Sequence, residues 1–193
     1  MIPIFWSVDR PLLCYHPFMR PLIGTDLKRF LRDYRRAHPP VRDIVILLQS
    51  VEYPANVGSA FRLADGAGAS ELVLTGITPT PPNATIDKVG RYKSLRLPWR
   101  YEADPLVALA DLRTRGYQIV AVELTDDAIP YHNFDYPEKV CLVVGHEDHG
   151  VTKATLAACD SAVFVPMYGK GLSLNVHVAL AVVAYHLRHG AVD

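Results

Sequence analysis

The chain is 193 residues long, half of them hydrophobic and 21% charged, with 20 Lys and Arg against 20 Asp and Glu. This length suits one domain with a small appendage, which can bury about 70% of its unfolded surface without disulfide or metal staples. No apolar run nears a membrane span, residues 1–20 lack the pattern of a secretion signal, and Cys14, Cys141 and Cys159 lack metal-ligand spacing, which points to free thiols in a reducing cytoplasm.

Residues 1–24 carry several prolines and no clear period, and read as an irregular extension. Thr25 is expected to cap a helix that runs to about His38 and stops at Pro39 and Pro40. Leu27, Leu31 and Tyr34 form its apolar stripe, while Lys28, Arg32, Arg35 and Arg36 sit elsewhere on it. The neutral whole-chain charge argues against a nucleic-acid partner, but residues 20–42 hold seven Lys and Arg against two Asp. The helix is either a solvated basic face or an RNA contact, with Arg29, Arg32 and Arg36 the candidates.

From Asp43 onward strands and helices alternate. Short apolar runs at 44–48, 71–74, 118–124, 140–144 and 162–165 read as buried parallel strands. Helical stretches fall near 56–67, 105–115 and 151–159. A last helix is expected to show Leu174, Val178, Ala181, Val182 and Tyr185 on one face and to end at Gly190. Pro79, Pro81 and Pro82 mark a loop. The pattern implies an α/β fold, a mostly parallel sheet flanked by helices. An N-terminal extension with a basic helix would occupy 1–42, and the main domain 43–193. Between 88 and 100, Lys88, Arg91, Lys93, Arg96 and Arg100 have no acid among them, and Tyr92 and Trp99 add stacking surfaces. Arg91 and Lys93 are the RNA-contact candidates there.

Three segments place unusual residues at strand ends, where ligands of open α/β sheets bind. In the first, Asn56, Ser59 and Arg62 share one flank of a helix start, while Ala60, Leu63, Ala64 and Ala67 face the packing. That edge suits a phosphate or ribose, or is a capped surface helix with a solvated arginine. In the second, Gly145-His146-Glu147-Asp148-His149-Gly150 makes a tight acidic turn, with Glu147 able to pair an arginine or cap a helix. His146 and His149 lack the HExxH spacing and a third ligand, so no metal is expected. In the third, Pro166-Met167-Tyr168-Gly169 leads to Ser173-Leu174-Asn175-Val176, where Ser173 is expected to open the last helix as its N-cap.

Together these segments resemble the three signature motifs of the SpoU (TrmH) family of SPOUT methyltransferases. Asn56, Gly58 and Arg62 match the first. Gly145, Glu147 and Gly150 match the second. Pro166, Met167, Gly169, Ser173, Leu174, Asn175 and Val176 match the third. The likeness spans about residues 43–189. It implies a C-terminal trefoil knot, a homodimer, and S-adenosylmethionine held near Leu124, Gly145, Val165, Met167, Gly169, Ser173 and Leu174. It also implies methylation of a ribose 2′-hydroxyl in RNA, with tRNA favoured over rRNA. Arg62 is assigned to activate the hydroxyl, with Asn56 and Glu147 orienting it, and Ser173 and Asn175 holding the ribose and the cofactor-side loop. A guanidinium with a pKa above about 12 is no free base, so Arg62 is expected to bind phosphate and polarise the hydroxyl. His177 departs from the small residue usual in the family and is read as a satisfied helix residue. The rival readings are a non-catalytic RNA-binding relative and a metal hydrolase using His146, His149, His186 and His189.

Overall fold

The computed structural model describes residues 20–188. The expected extension before residue 20, Cys14, His189 and the helix end at Gly190 lie outside them. By contact the chain divides into two units between Pro39 and Pro40.

The first unit contributes α1 (Gly24–Ala37), with Asp26 in its first turn, Arg35 and Arg36 in its last, and no buried side chain. Both charges suit the helix dipole. Ile23, not Thr25, occupies the cap position and makes no side-chain cap.

The second unit is a seven-stranded, wholly parallel sheet. Its strands are β1 (Asp43–Gln49), β2 (Glu71–Thr75), β3 (Trp99–Glu102), β4 (Gln118–Val122), β5 (Ile129–Pro130), β6 (Lys139–Val144) and β7 (Ser161–Phe164). They lie in the order β3-β2-β1-β6-β4-β7-β5. β1 sits at the centre of the motif-bearing half, with Ile46 in register with Leu72 on one side and Leu142 on the other. Alternate side chains leave opposite faces of a strand. Ile44, Ile46 and Leu48 therefore pack with Phe61 of α2 (Pro54–Ala67) and Leu180 and Val183 of α6 (Val176–His186). Val45 and Leu47 pack with Leu109 and Leu112 of α4 (Pro105–Thr114). Two further short helices complete the unit, α3 (Ala84–Gly90) and α5 (Lys153–Ala157). Phe61 is fully buried between these layers. Truncating such a ring to alanine costs about 3–5 kcal/mol.

Several expectations need correction. β3 and β5 are edge strands too polar or too short to show an apolar run. Arg100 of β3 is paired with Glu71 at 2.9 Å and Asp111 at 2.6 Å, and β5 is two residues including Pro130. α3 follows the prolines because the Asn83 side chain accepts from the Thr85 and Ile86 amides. The last helix buries Leu180, Val183 and Ala184, with Leu187 buried at its C-terminal cap, while Val178 and Tyr185, and Leu174 before its start, are exposed. That helix is apolar on nearly every side, so periodicity alone does not pick its inner face.

Candidate active site

The three signature segments converge at the carboxyl ends of the strands. Two cavities open there, separated by Asn56. The larger, about 740 Å³, is bordered by all seven residues expected to hold a cofactor: Leu124, Gly145, Val165, Met167, Gly169, Ser173 and Leu174. Val122, Val144, Phe164 and Ala179 extend its apolar wall, and Glu123, Glu147, Asp148 and Lys170 charge its rim. The smaller, about 640 Å³, is bordered by Arg62, Arg91, Lys93, His177 and Tyr185.

The wall between them is a hydrogen-bonded relay. Glu147 in the larger cavity accepts from the Asn56 side-chain amide at 2.6 Å and from the backbone amides of Glu52 at 2.9 Å and Tyr53 at 3.2 Å. These amides directly precede α2, so the carboxylate caps that helix from another part of the chain. Burial pushes the Glu147 carboxyl up, but the bonds from Asn56 and the two amides outweigh it and hold it below its ordinary value. On the other side, the Asn56 carbonyl oxygen lies 3.1 Å from His177 Nδ1. Asn56 itself is buried, not on the exposed flank expected from helical spacing, because Glu147 and His177 enclose it. Arg62 is exposed and makes no hydrogen bond or ion pair among the described residues, so Asn56 and Glu147 do not hold it directly.

The glycines of the motifs act by close approach. A Cβ at Gly145 would lie 2.1 Å from the Gly150 carbonyl carbon, and Gly150 has a φ of 64°, which places the backbone in the left-handed region. The turn is further closed by Glu123, whose carboxylate accepts from the Val151 amide at 3.0 Å. A Cβ at Gly58 would lie 2.9 Å from the Ile86 carbonyl oxygen, and one at Gly90 3.0 Å from the Gly58 oxygen. α2 and α3 therefore meet backbone to backbone, which brings Arg91, the residue capping α3, to the cavity of Arg62.

The third motif is arranged differently from expectation. Asn175, not Ser173, caps α6, its side-chain oxygen accepting from the His177 amide at 3.1 Å. Asparagine at a cap needs no further explanation, because its short carbonyl reaches a free helix amide. Ser173 is exposed and borders the larger cavity. Of the basic stretch, Lys93 is paired with Asp65 at 2.5 Å, an acid brought in by α2. Trp99 meets Phe61 edge to face, with ring centroids 6.0 Å apart, and donates to the Ser94 carbonyl, so its ring belongs to the core edge. Tyr92 remains 63% exposed. Arg29, Arg32 and Arg36 are exposed on α1, Arg32 paired with its neighbour Asp33 at 3.1 Å.

His146 and His149 lie with ring centroids 4.7 Å apart, and His146 Nε2 faces Glu52 at 3.2 Å. Among the described residues no group of three or more His, Cys, Asp or Glu is placed to hold a metal ion. Nor is any described helix long and apolar enough to cross a membrane. Sequence reasoning did not single out Glu123 or Asp65, placed Tyr185 only on the apolar face of the last helix, and noted His177 only as a departure.

Known proteins resemble this chain over the same region. A tRNA (guanosine(18)-2′-O)-methyltransferase of Thermus thermophilus is 31% identical over 86% of this chain and 84% of its own length. The enzyme of that name from Escherichia coli is 30% identical over 74% of this chain, which spans 62% of the E. coli protein. The AdoMet-bound rRNA methyltransferase of Sinorhizobium meliloti superposes with a TM-score of 0.72 at 26% identity, covering 80% of this chain and 59% of that one. The model of the SpoU rRNA Methylase family matches residues 43–185, which span the sheet, the borders of both cavities and the relay between them; the chain belongs to that family.

Proposed function

We propose that the chain transfers a methyl group from S-adenosylmethionine to a ribose 2′-hydroxyl of RNA, tRNA being the favoured substrate. The relay at Asn56 carries this reading: it joins an apolar, acid-rimmed cavity to a basic one that presents the exposed Arg62 guanidinium. The larger cavity has the size of a small-molecule site. Its apolar wall fits an adenine, its carboxylates fit the positive charges of the donor, and Lys170 fits the donor's carboxylate. When bound, the donor supplies an electrophilic methyl group.

The chain's own residues do the rest. The Gly145–Gly150 turn brings backbone amides and carbonyls to the donor. Arg62 and Arg91 bind the phosphates beside the target ribose, and Arg62 polarises its hydroxyl. Positioning of this kind is worth several kcal/mol of barrier. Ser173 holds the ribose at the mouth of the donor cavity, and Asn175 fixes the loop by capping α6.

Residues 43–193 form the catalytic domain in this reading, with a trefoil knot in the C-terminal part, and residues 1–42 form the RNA-contacting extension. Membership of the SpoU family, over residues 43–185, is what supports the knot. The exposed apolar side chains of Val178 and Tyr185 on α6, with Leu174 just before it, support a homodimer. The free thiols of Cys141 and Cys159 suit the cytoplasm. A 23S rRNA 2′-O-methyltransferase of Bacillus subtilis is 33% identical over 75% of this chain, which makes rRNA the second reading.

Calorimetric titration with S-adenosylmethionine, followed by incubation with unmodified tRNA and rRNA transcripts and nucleoside mass spectrometry, tests the proposal. Binding and a 2′-O-methylnucleoside in tRNA are expected. A product only in rRNA moves the substrate. Donor binding with no product in either, or no binding at all, favours an RNA-binding relative.

A further inference from the structure

The relay fixes the tautomer of His177. An ionised carboxylate only accepts, so the Asn56 atom facing Glu147 is the amide nitrogen and the atom facing His177 is the carbonyl oxygen. That oxygen also only accepts, so His177 Nδ1 carries the ring proton. In a neutral imidazole Nε2 is then a bare lone pair. Nε2 has no hydrogen-bond partner among the described residues, and the ring borders the cavity of Arg62 and Arg91.

We propose that His177 Nε2 is the base that takes the proton from the ribose 2′-hydroxyl, with Asn56 and Glu147 as its positioning residues. This rests on the methyl-transfer reading above. As the bond from O2′ to the methyl carbon forms, the carbon–sulfur bond breaks and its electron pair stays on sulfur. The hydroxyl proton passes to Nε2, and the imidazolium later releases it to water. A cationic donor and a neutral ring become a neutral thioether and a cationic ring, so charge balances.

The surroundings keep the ring ready to accept. Burial pushes the His177 imidazole below its ordinary value. His177 shares its cavity with Arg62 and Asp65 of α2, Arg91 and Lys93 after α3, and Tyr185 of its own helix, with Glu147 beyond Asn56. Asp65 is held by Lys93, and both Arg62 and Arg91 disfavour a second positive charge. So does the amino end of α6, in whose first turn His177 stands. A guanidinium only donates and offers no lone pair for this role.

The test uses the full chain. Long-range proton–nitrogen correlation spectra of the free protein at neutral pH are expected to show a neutral His177 protonated at Nδ1. Single-turnover methyl transfer in His177→Ala is expected to fall at least about 100-fold, the usual lower bound for a general base. His177→Gln keeps a donor for Asn56 and guards against misfolding, and should lose as much. Donor affinity by calorimetry stays unchanged in both, and the acid limb of the wild-type pH–rate profile disappears in them. A proton on Nε2, or variants as fast as wild type, overturns the inference and leaves the methyl-transfer reading intact. Wild-type protein that methylates no RNA overturns both.

Discussion

The Asn56 amide lies 2.6 Å from the Glu147 carboxylate, so a residue of the helix after β1 is tied to the turn after β6, 91 positions later in the chain. Glu147→Gln keeps one acceptor and loses the charge that α2 and Asn56 face. A group whose folded pKa lies below its ordinary 4.5 stabilises the fold fully above that value, and the gain is lost as pH falls through the folded value. Urea unfolding from neutral to acidic pH should therefore show a shallower acid limb in Glu147→Gln than in wild type. At neutral pH the variant should lose about 1 kcal/mol.

Arg62→Ala removes an exposed guanidinium that has no partner among the described residues, and should leave the melting temperature within error. Methyl transfer to RNA should fall by at least about 100-fold, as for loss of one charge-stabilising donor. A stable variant with near wild-type rate would refute its role.

Gly145→Ala places a methyl group 2.1 Å from the Gly150 carbonyl carbon, against the peptide that joins Gly150 to Val151. The turn must shift to admit it, so donor affinity measured by calorimetry should be abolished. Thermal unfolding should drop by more than the roughly 1 kcal/mol typical of single substitutions.

Arg91→Ala should weaken RNA binding about equally across sequences. The slope of log affinity against log salt should fall by about 0.7 for a single-stranded phosphate contact, or 0.9 for a duplex one. An unchanged slope, measured by filter binding over a salt series, would place RNA elsewhere than the cavity of Arg62.

Val178→Asp puts a charge in the exposed apolar stripe of α6. Sedimentation velocity should find the wild type dimeric and the variant monomeric. If both sediment as monomers, the stripe is covered by something other than a second copy.

What the sequence makes legible follows from how locally each feature is encoded. β1 and β6 are continuous apolar runs because both their faces are covered, and they read directly as parallel strands. β3 hides because it carries Arg100, whose charge is met by Glu71 and Asp111, residues outside the strand itself. The motif residues are visible as a pattern, yet their partners are not. Nothing in the order of residues says that Asn56 meets His177, 121 positions away, and the His177 ring reads as ordinary helix content until that contact is seen. Asn175 looks out of place inside a helix and becomes ordinary once the helix is seen to start one residue later.

The backbone seam at Gly58 and Gly90 has a consequence for how such an enzyme changes its target. With no side chain between them, α2 and α3 pack backbone to backbone, and that contact sets how far the start of the 91–96 segment lies from Arg62. If the chain methylates RNA as proposed, substitutions beyond Arg91, at 92–96, would then change which RNA is held while leaving the Arg62 cavity in place. A single methyl group added at either glycine would instead pry the two helices apart and misalign both at once.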